Sequence, residues 1–101
     1  MTHKQKNTKA FKRLEKLGYF TAQDFWCCQS CAWNALSDGD AEKVVFYHDQ
    51  DGESFGTDGN LENILHLAWA GNAKEICDIL TDNGLEVSHD GASDTRIEVL
   101  P

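Results

Sequence analysis

The spacing of hydrophobic positions changes repeatedly along the chain, and each change predicts an element. Ala10, Phe11, Leu14 and Leu17 recur at helical spacing, so residues 8–17 read as a helix, with Gly18 as its C-terminal stop. Residues 1–7 carry no such pattern and read as a flexible N-terminal tail. Thr21 with Asp24 three places on resembles a capping box and opens a second helix through about Leu36. Lys43 to His48 (KVVFYH) is β-branched and aromatic, which predicts a strand. The stretch Asp49–Asn60, with four acids and three glycines, reads as a loop. Leu65, Leu67 and Trp69 then alternate with polar or small neighbours, predicting a second strand paired with the first.

The clearest helix follows. Asn72 caps it, Glu75 stands at the third helical position, and Ala73, Ile76, Cys77 and Leu80 repeat at i, i+3, i+4 and i+7 until Asn83-Gly84 ends it. Leu85–Ser88 and Thr95–Val99 predict two short strands joined around Asp90-Gly91, with Ile97 and Val99 inward and Arg96 and Glu98 outward. The resulting order, ααββαββ, has hairpins rather than βαβ crossovers. It predicts one α+β domain over residues 1–101: an antiparallel sheet of about four strands with helices packed on one face.

Charge is split along the chain. Residues 1–16 hold six of the nine Lys and Arg and carry +5, while residues 17–101 carry −13, for a net −8. An acidic body argues against a nucleic-acid binder, whose domain should be basic. With 41% hydrophobic residues and a single proline the chain is not disordered, and 101 residues bury one modest core and no second domain. Lys9, Lys12, Arg13 and Lys16 form a cationic stripe on the first helix. Its apolar side of four residues suits a core better than a bilayer, so the stripe reads as a solvent face. No apolar region follows the basic start and no window approaches eighteen apolar residues, so a cytoplasmic protein without membrane attachment is expected.

Four cysteines then ask for a chemical explanation, because Cys27, Cys28 and Cys31 fall within five residues. They cannot staple distant parts of the chain, and reduced thiols are the expectation. On a helix, Cys28 shares a stripe with Phe25, Ala32, Ala35 and Leu36, while Cys27 and Cys31 are i, i+4 neighbours beside it. A closed zinc site wants four N/S ligands. The three cysteines supply up to three, and His48, at the end of the next element, is the candidate for the fourth. The blander reading is that cysteine is a small, readily buried hydrophobe, as Cys77 on the apolar face of the last helix also suggests. Thioredoxin-like redox chemistry fails on spacing, since Ser30 stands where the second thiol would be and the one proline is Pro101. A thiolate nucleophile activated by His48 is a further reading. An EF-hand starting at Asp49 fails as well, with Ser54 in place of the sixth-position glycine and Asn60 in place of the twelfth-position Glu. His48 has a candidate carboxylate partner in Asp51, whereas His66 faces away from Leu65 and Leu67.

Read together, Phe25 to Cys31 (F-x-C-C-x-x-C), Phe46 to Asp51 (F-Y-H-x-Q-D), Leu65-His66-Leu67-Ala68, Gly84-Leu85-Glu86-Val87 and Arg96-Ile97 resemble a family of uncharacterised bacterial proteins known as a domain of unknown function. The resemblance spans about residues 17–100, and Ala32 departs from the glycine of that pattern. It implies a bacterial or phage origin and singles out Cys27, Cys28, Cys31, His48, Gln50 and Asp51, without implying an activity. The function expected is a small acidic binding or interaction module with a protein partner, leaning away from an enzyme. The alternatives are a zinc- or thiol-dependent protein using the cysteine cluster with His48, and an acidic mimic that occupies a basic partner.

Overall fold

The computed structural model describes residues 2–23, 25, 33–37, 39, 42–91 and 95–101, with Gln50 described by its backbone alone. Helix α1 spans His3–Lys16 and is followed by strands β1 (Phe20–Ala22) and β2 (Val44–Phe46). A one-turn helix α2 (Asp49–Gly52) leads to β3 (Leu65–Ala70), helix α3 (Ala73–Asp82), β4 (Glu86–Ser88) and β5 (Ile97–Leu100). The five strands form one mixed sheet in the order β1-β2-β3-β5-β4. β1 runs parallel to β2, and the other neighbours are antiparallel. No helix among the described residues is long and apolar enough to cross a membrane.

The α+β class therefore holds, while the four-stranded antiparallel sheet and the ααββαββ order do not. Thr21 lies in a strand rather than at a helix cap, and its hydroxyl donates to Glu15 Oε1 at 2.6 Å. A parallel pair cannot be closed by a hairpin and needs a crossover of a dozen or more residues. Here that crossover is the stretch between β1 and β2, which contains the cysteine cluster. The continuous second helix predicted to Leu36 falls mostly outside the described residues, with one helical turn at Trp33–Ala35. The predicted loop over 49–60 opens instead with α2, which His48 caps.

Residues 2–7 are not a tail. The Thr2 hydroxyl accepts from the Gln5 N–H at 3.2 Å and the Gln5 side chain accepts from the Thr2 N–H at 3.0 Å, a reciprocal cap that starts α1 at His3. The first turn is then docked on the turn before β3. His3 Nδ1 accepts from the Leu61 N–H at 2.8 Å, and the Lys4 N–H donates to Gly59 O at 3.0 Å. That turn is held by Asp58, whose carboxylate accepts from the Asn60 N–H at 2.9 Å. This bond, followed by the Asn60 side chain, holds the Asp58 carboxyl below its ordinary value of 3.8. A depressed folded pKa stabilises the fold above the unfolded value and loses that effect as pH falls through the folded one. The stability gap between the parent and Asp58→Ala should therefore be present at pH 5 and shrink below about pH 4. Thermal melts at stepped pH check this, and a gap that is constant or widens on acidification would contradict it.

The sheet has two covered faces. Toward one, Val45, Tyr47, Leu65, Leu67, Ile97 and Val99 pack with Ala10, Phe11 and Leu14 of α1 and Ile76, Ile79 and Leu80 of α3. Each Val, Leu, Ile or Phe among these contributes about 1.5–3 kcal/mol on full burial. Toward the other, Val44, Phe46 and Ala68 form a smaller cluster, joined by Phe20, Ala22, Phe25, Trp33 and Leu36. The parity of β2 sets this division, with 44 and 46 on one side and 45 and 47 on the other. Gly71, at φ +116°, turns β3 into α3 where a Cβ would meet the Tyr19 ring at 2.9 Å. Tyr19 in turn caps that corner, its hydroxyl accepting from the Asn72 N–H at 3.2 Å. Burial pushes the phenol above its ordinary value.

Candidate functional site

Beyond Phe46 the chain leaves the β2–β3 ladder and turns into α2. Tyr47 and His48 are both buried there, and β alternation directs them to opposite faces. Tyr47 joins the helix-covered core, and its hydroxyl donates to Gln23 Oε1 at 2.9 Å. His48 falls on the parity of Val44 and Phe46, the face of the smaller cluster. Its extended backbone and its side chain cap α2, with Nδ1 accepting from the Asp51 N–H at 3.3 Å.

The other ring nitrogen meets the same residue, Nε2 lying 3.1 Å from Asp51 Oδ2. A neutral ring protonated at Nε2 satisfies both contacts, donating to the carboxylate and accepting from the amide. Asp51 Oδ2 also accepts from Arg96 Nη1 at 2.7 Å. The His48 and Asp51 side chains are 8% and 14% exposed and that of Arg96 is 33%, so the network runs from the interior to the surface. Arg96 immediately precedes β5 and reaches the network because β5 presents Ile97 and Val99 to the helices, which puts the residue before Ile97 on the parity of the opposite face. On that face, His66 and Glu98 stand in register across β3 and β5, with Nε2 3.5 Å from Oε2, both partly exposed.

The motif pair His48 and Asp51 is thus brought together, as the sequence leads one to expect. Gln50 stands between them on the first turn of α2, its backbone helical. Arg96 is a member that sequence reasoning missed as a site residue. Its one signal was its place in the Arg96-Ile97 motif at an outward strand position. Cys27, Cys28 and Cys31 lie outside the described residues. Among the described residues no group of three or more His, Cys, Asp or Glu side chains converges as a metal site. The crossover that carries the cysteines is anchored on both sides. The Phe25 N–H donates to Tyr47 O at 2.9 Å, and the rings of Phe25 and Trp33 meet Phe46 edge-on at 5.6 and 5.1 Å. Cys77 is half-buried on α3, where burial, followed by the neighbouring Asp78, pushes its thiol up.

Over residues 1–101 the chain matches the family model described as Domain of unknown function (DUF6891), and it belongs to that family. No curated protein and no solved structure matches it.

Proposed function

We propose that this member of the DUF6891 family is a small binding module rather than an enzyme. The observation that carries the reading is the commitment of His48. Asp51 takes both of its ring nitrogens, and Arg96 takes the same carboxylate oxygen. A histidine held in this way caps a helix and braces a strand, and lends neither nitrogen to a substrate or a metal. A general base needs a lone pair within hydrogen-bond reach of the proton it removes. The lone pair on Nδ1 is occupied by a backbone N–H of its own turn.

A second reading, a zinc or thiol centre at Cys27, Cys28, Cys31 and His48, is favoured by the anchoring of the crossover. Phe25 and Trp33 fix both sides of the cysteine segment against Phe46, two residues before His48 and on the same strand parity. The His48–Asp51 pair is also the kind of carboxylate contact that orients metal-bound histidines. Zinc would require His48 to give up one of its two contacts with Asp51.

Elemental analysis of protein purified without added metal separates the two readings. The binding module predicts zinc far below one per chain and an unchanged melting temperature after dialysis against a chelator. One zinc per chain that is lost in Cys28→Ser would replace the first reading with the second.

A further inference from the structure

The start of α1 is bound to the turn before β3 through one histidine. His3 stands in the first helical turn, and its Nδ1 accepts from the Leu61 N–H at 2.8 Å. Its own N–H donates to Asn60 Oδ1 at 3.3 Å, and the Lys4 N–H donates to Gly59 O at 3.0 Å. Two N–H groups that a helix start leaves unpaired are thus satisfied by the turn. Gly59, at φ +86°, lets the turn lie against Thr2, whose hydroxyl a Cβ there would meet at 3.1 Å. Leu61 itself is buried and bridged to Phe55, and the Lys4 ammonium lies 5.7 Å from the centre of the Phe55 ring.

The Leu61 bond has a chemical condition. An imidazole nitrogen accepts only while it carries no proton, so the docked ring is neutral and bears its hydrogen on Nε2. A proton added at Nδ1 faces the Leu61 N–H, donor against donor, and the bond is lost. Histidine is the side chain that makes this change between about pH 5 and 8. Among the described residues, charged groups surround the ring from both elements. On the helix, the Lys4 ammonium is at Phe55 and the Lys6 ammonium is 3.4 Å from Gly84 O, while the positive end of the helix opposes a cation in its first turn. On the turn, the Glu62 carboxylate lies beside Gly56, and Asp58 is the carboxylate on which the charge of His3 acts. The bond from the Asn60 N–H holds Asp58 below its ordinary value, so it stays ionised throughout the range in which histidines titrate. The neutral ring therefore has its partner in Leu61, and the charged ring in Asp58.

We propose that His3 is a proton-operated latch. On acidification its ring leaves the Leu61 N–H for the Asp58 carboxylate, and the first turn of α1 comes off the turn at 58–61. The docked contact is present on the alkaline side of the ring's titration and is lost as pH falls through it. The remainder of α1 stays in place, because Ala10, Phe11 and Leu14 are held in the core. What the latch uncovers is the Phe55–Leu61 bridge, in the segment that joins α2 to β3. It is separate from the His48 network and does not depend on the binding-module reading.

The test is NMR on the 15N-labelled chain between about pH 8 and 5, read residue by residue so that His3 is separated from His48, His66 and His89. At the alkaline end the His3 ring should be the Nε2–H tautomer. On acidification the Leu61 and Lys4 amide shifts should follow the midpoint of the His3 ring. Their exchange protection, corrected for the intrinsic rate, should fall about fivefold or more, the factor that one lost hydrogen bond supplies. His3→Asn keeps an acceptor in place of Nδ1 and cannot be protonated, so both amides should stay protected at the acid end. An Nδ1–H ring at the alkaline end, amides that ignore the His3 midpoint, or the same loss of protection in a docked His3→Asn chain overturns the latch. Should the asparagine fail to dock at the alkaline end, Asp58→Asn decides. Without that carboxylate the cation loses its partner, and the midpoints of the ring and of the Leu61 amide should move together to lower pH. Midpoints that separate or stay unmoved overturn the proposal.

Discussion

Replacing Phe46 with alanine is expected to destabilise the protein by about 3–5 kcal/mol, the cost of truncating a buried aromatic, or about 15–25 °C in melting temperature for a chain of this size. The ring is fully buried at the centre of the smaller cluster, in edge contact with both Phe25 and Trp33. Its loss therefore does more than leave a cavity. Both sides of the crossover lose their shared anchor, while the helix-covered core on the opposite face keeps its contacts. The variant should release the two anchored flanks of the crossover, Phe25 and Trp33, before it unfolds globally. In a Cys77→Ser background, so that Cys27, Cys28 and Cys31 alone report, Phe46→Ala should react with a thiol reagent well ahead of Leu65→Ala. Leu65 is equally buried but belongs to the other face. Equal rates in the two variants at matched stability would show that loss of the Phe46 anchor has no local effect on the segment, and the local account of Phe46 would fall.

The elements that could be read from the sequence are those long enough to show a period or bounded by strong signals. Helix α3 has ten residues, an asparagine cap bonded to the Glu75 N–H and a glycine stop, and it stands where the pattern puts it. The outward placement of Arg96 and Glu98 was also legible, since inward β-branched neighbours leave them no other side. β1 was not legible, because three residues cannot display an alternation, and Thr21 with Asp24 imitates a helix cap. The first two turns of α1 were hidden for a related reason. They are polar, and the one inward residue they add is Asn7, so the apolar stripe starts at Ala10. Parallel pairing of β1 with β2 has no local signature at all, because it joins residues more than twenty apart in the chain. The site shows the same limit. His48 and Asp51 are three residues apart and their pairing is a local event, visible in a motif. Arg96 is 45 residues from Asp51, and only the sheet order brings β5 beside β3 and within reach of α2.

The His48–Asp51–Arg96 network carries the second large effect. Asp51→Ala should cost about 2–3 kcal/mol, somewhat below the 3–5 kcal/mol for breaking a fully buried pair, since Arg96 is one-third exposed and water can recover part of its solvation. The loss has two parts. Arg96 is left without its carboxylate on the rim of the sheet, and His48 Nε2 is left without an acceptor at a side chain 8% exposed. The cap itself survives, because His48 Nδ1 bonds the main chain of residue 51, and α2 should still form. Arg96→Ala should cost less than Asp51→Ala, as it leaves the His48–Asp51 contact in place. The double variant should fall short of the sum of the singles by about 1–2 kcal/mol, the coupling expected of residues within one network. Denaturant melts of the four proteins measure the cycle. Strict additivity, or a loss under about 0.5 kcal/mol for Asp51→Ala, would mean that the three residues are neighbours without being a unit. The binding-module reading would then lose the observation on which it stands, because a histidine not held by Asp51 is free to serve a metal or a proton.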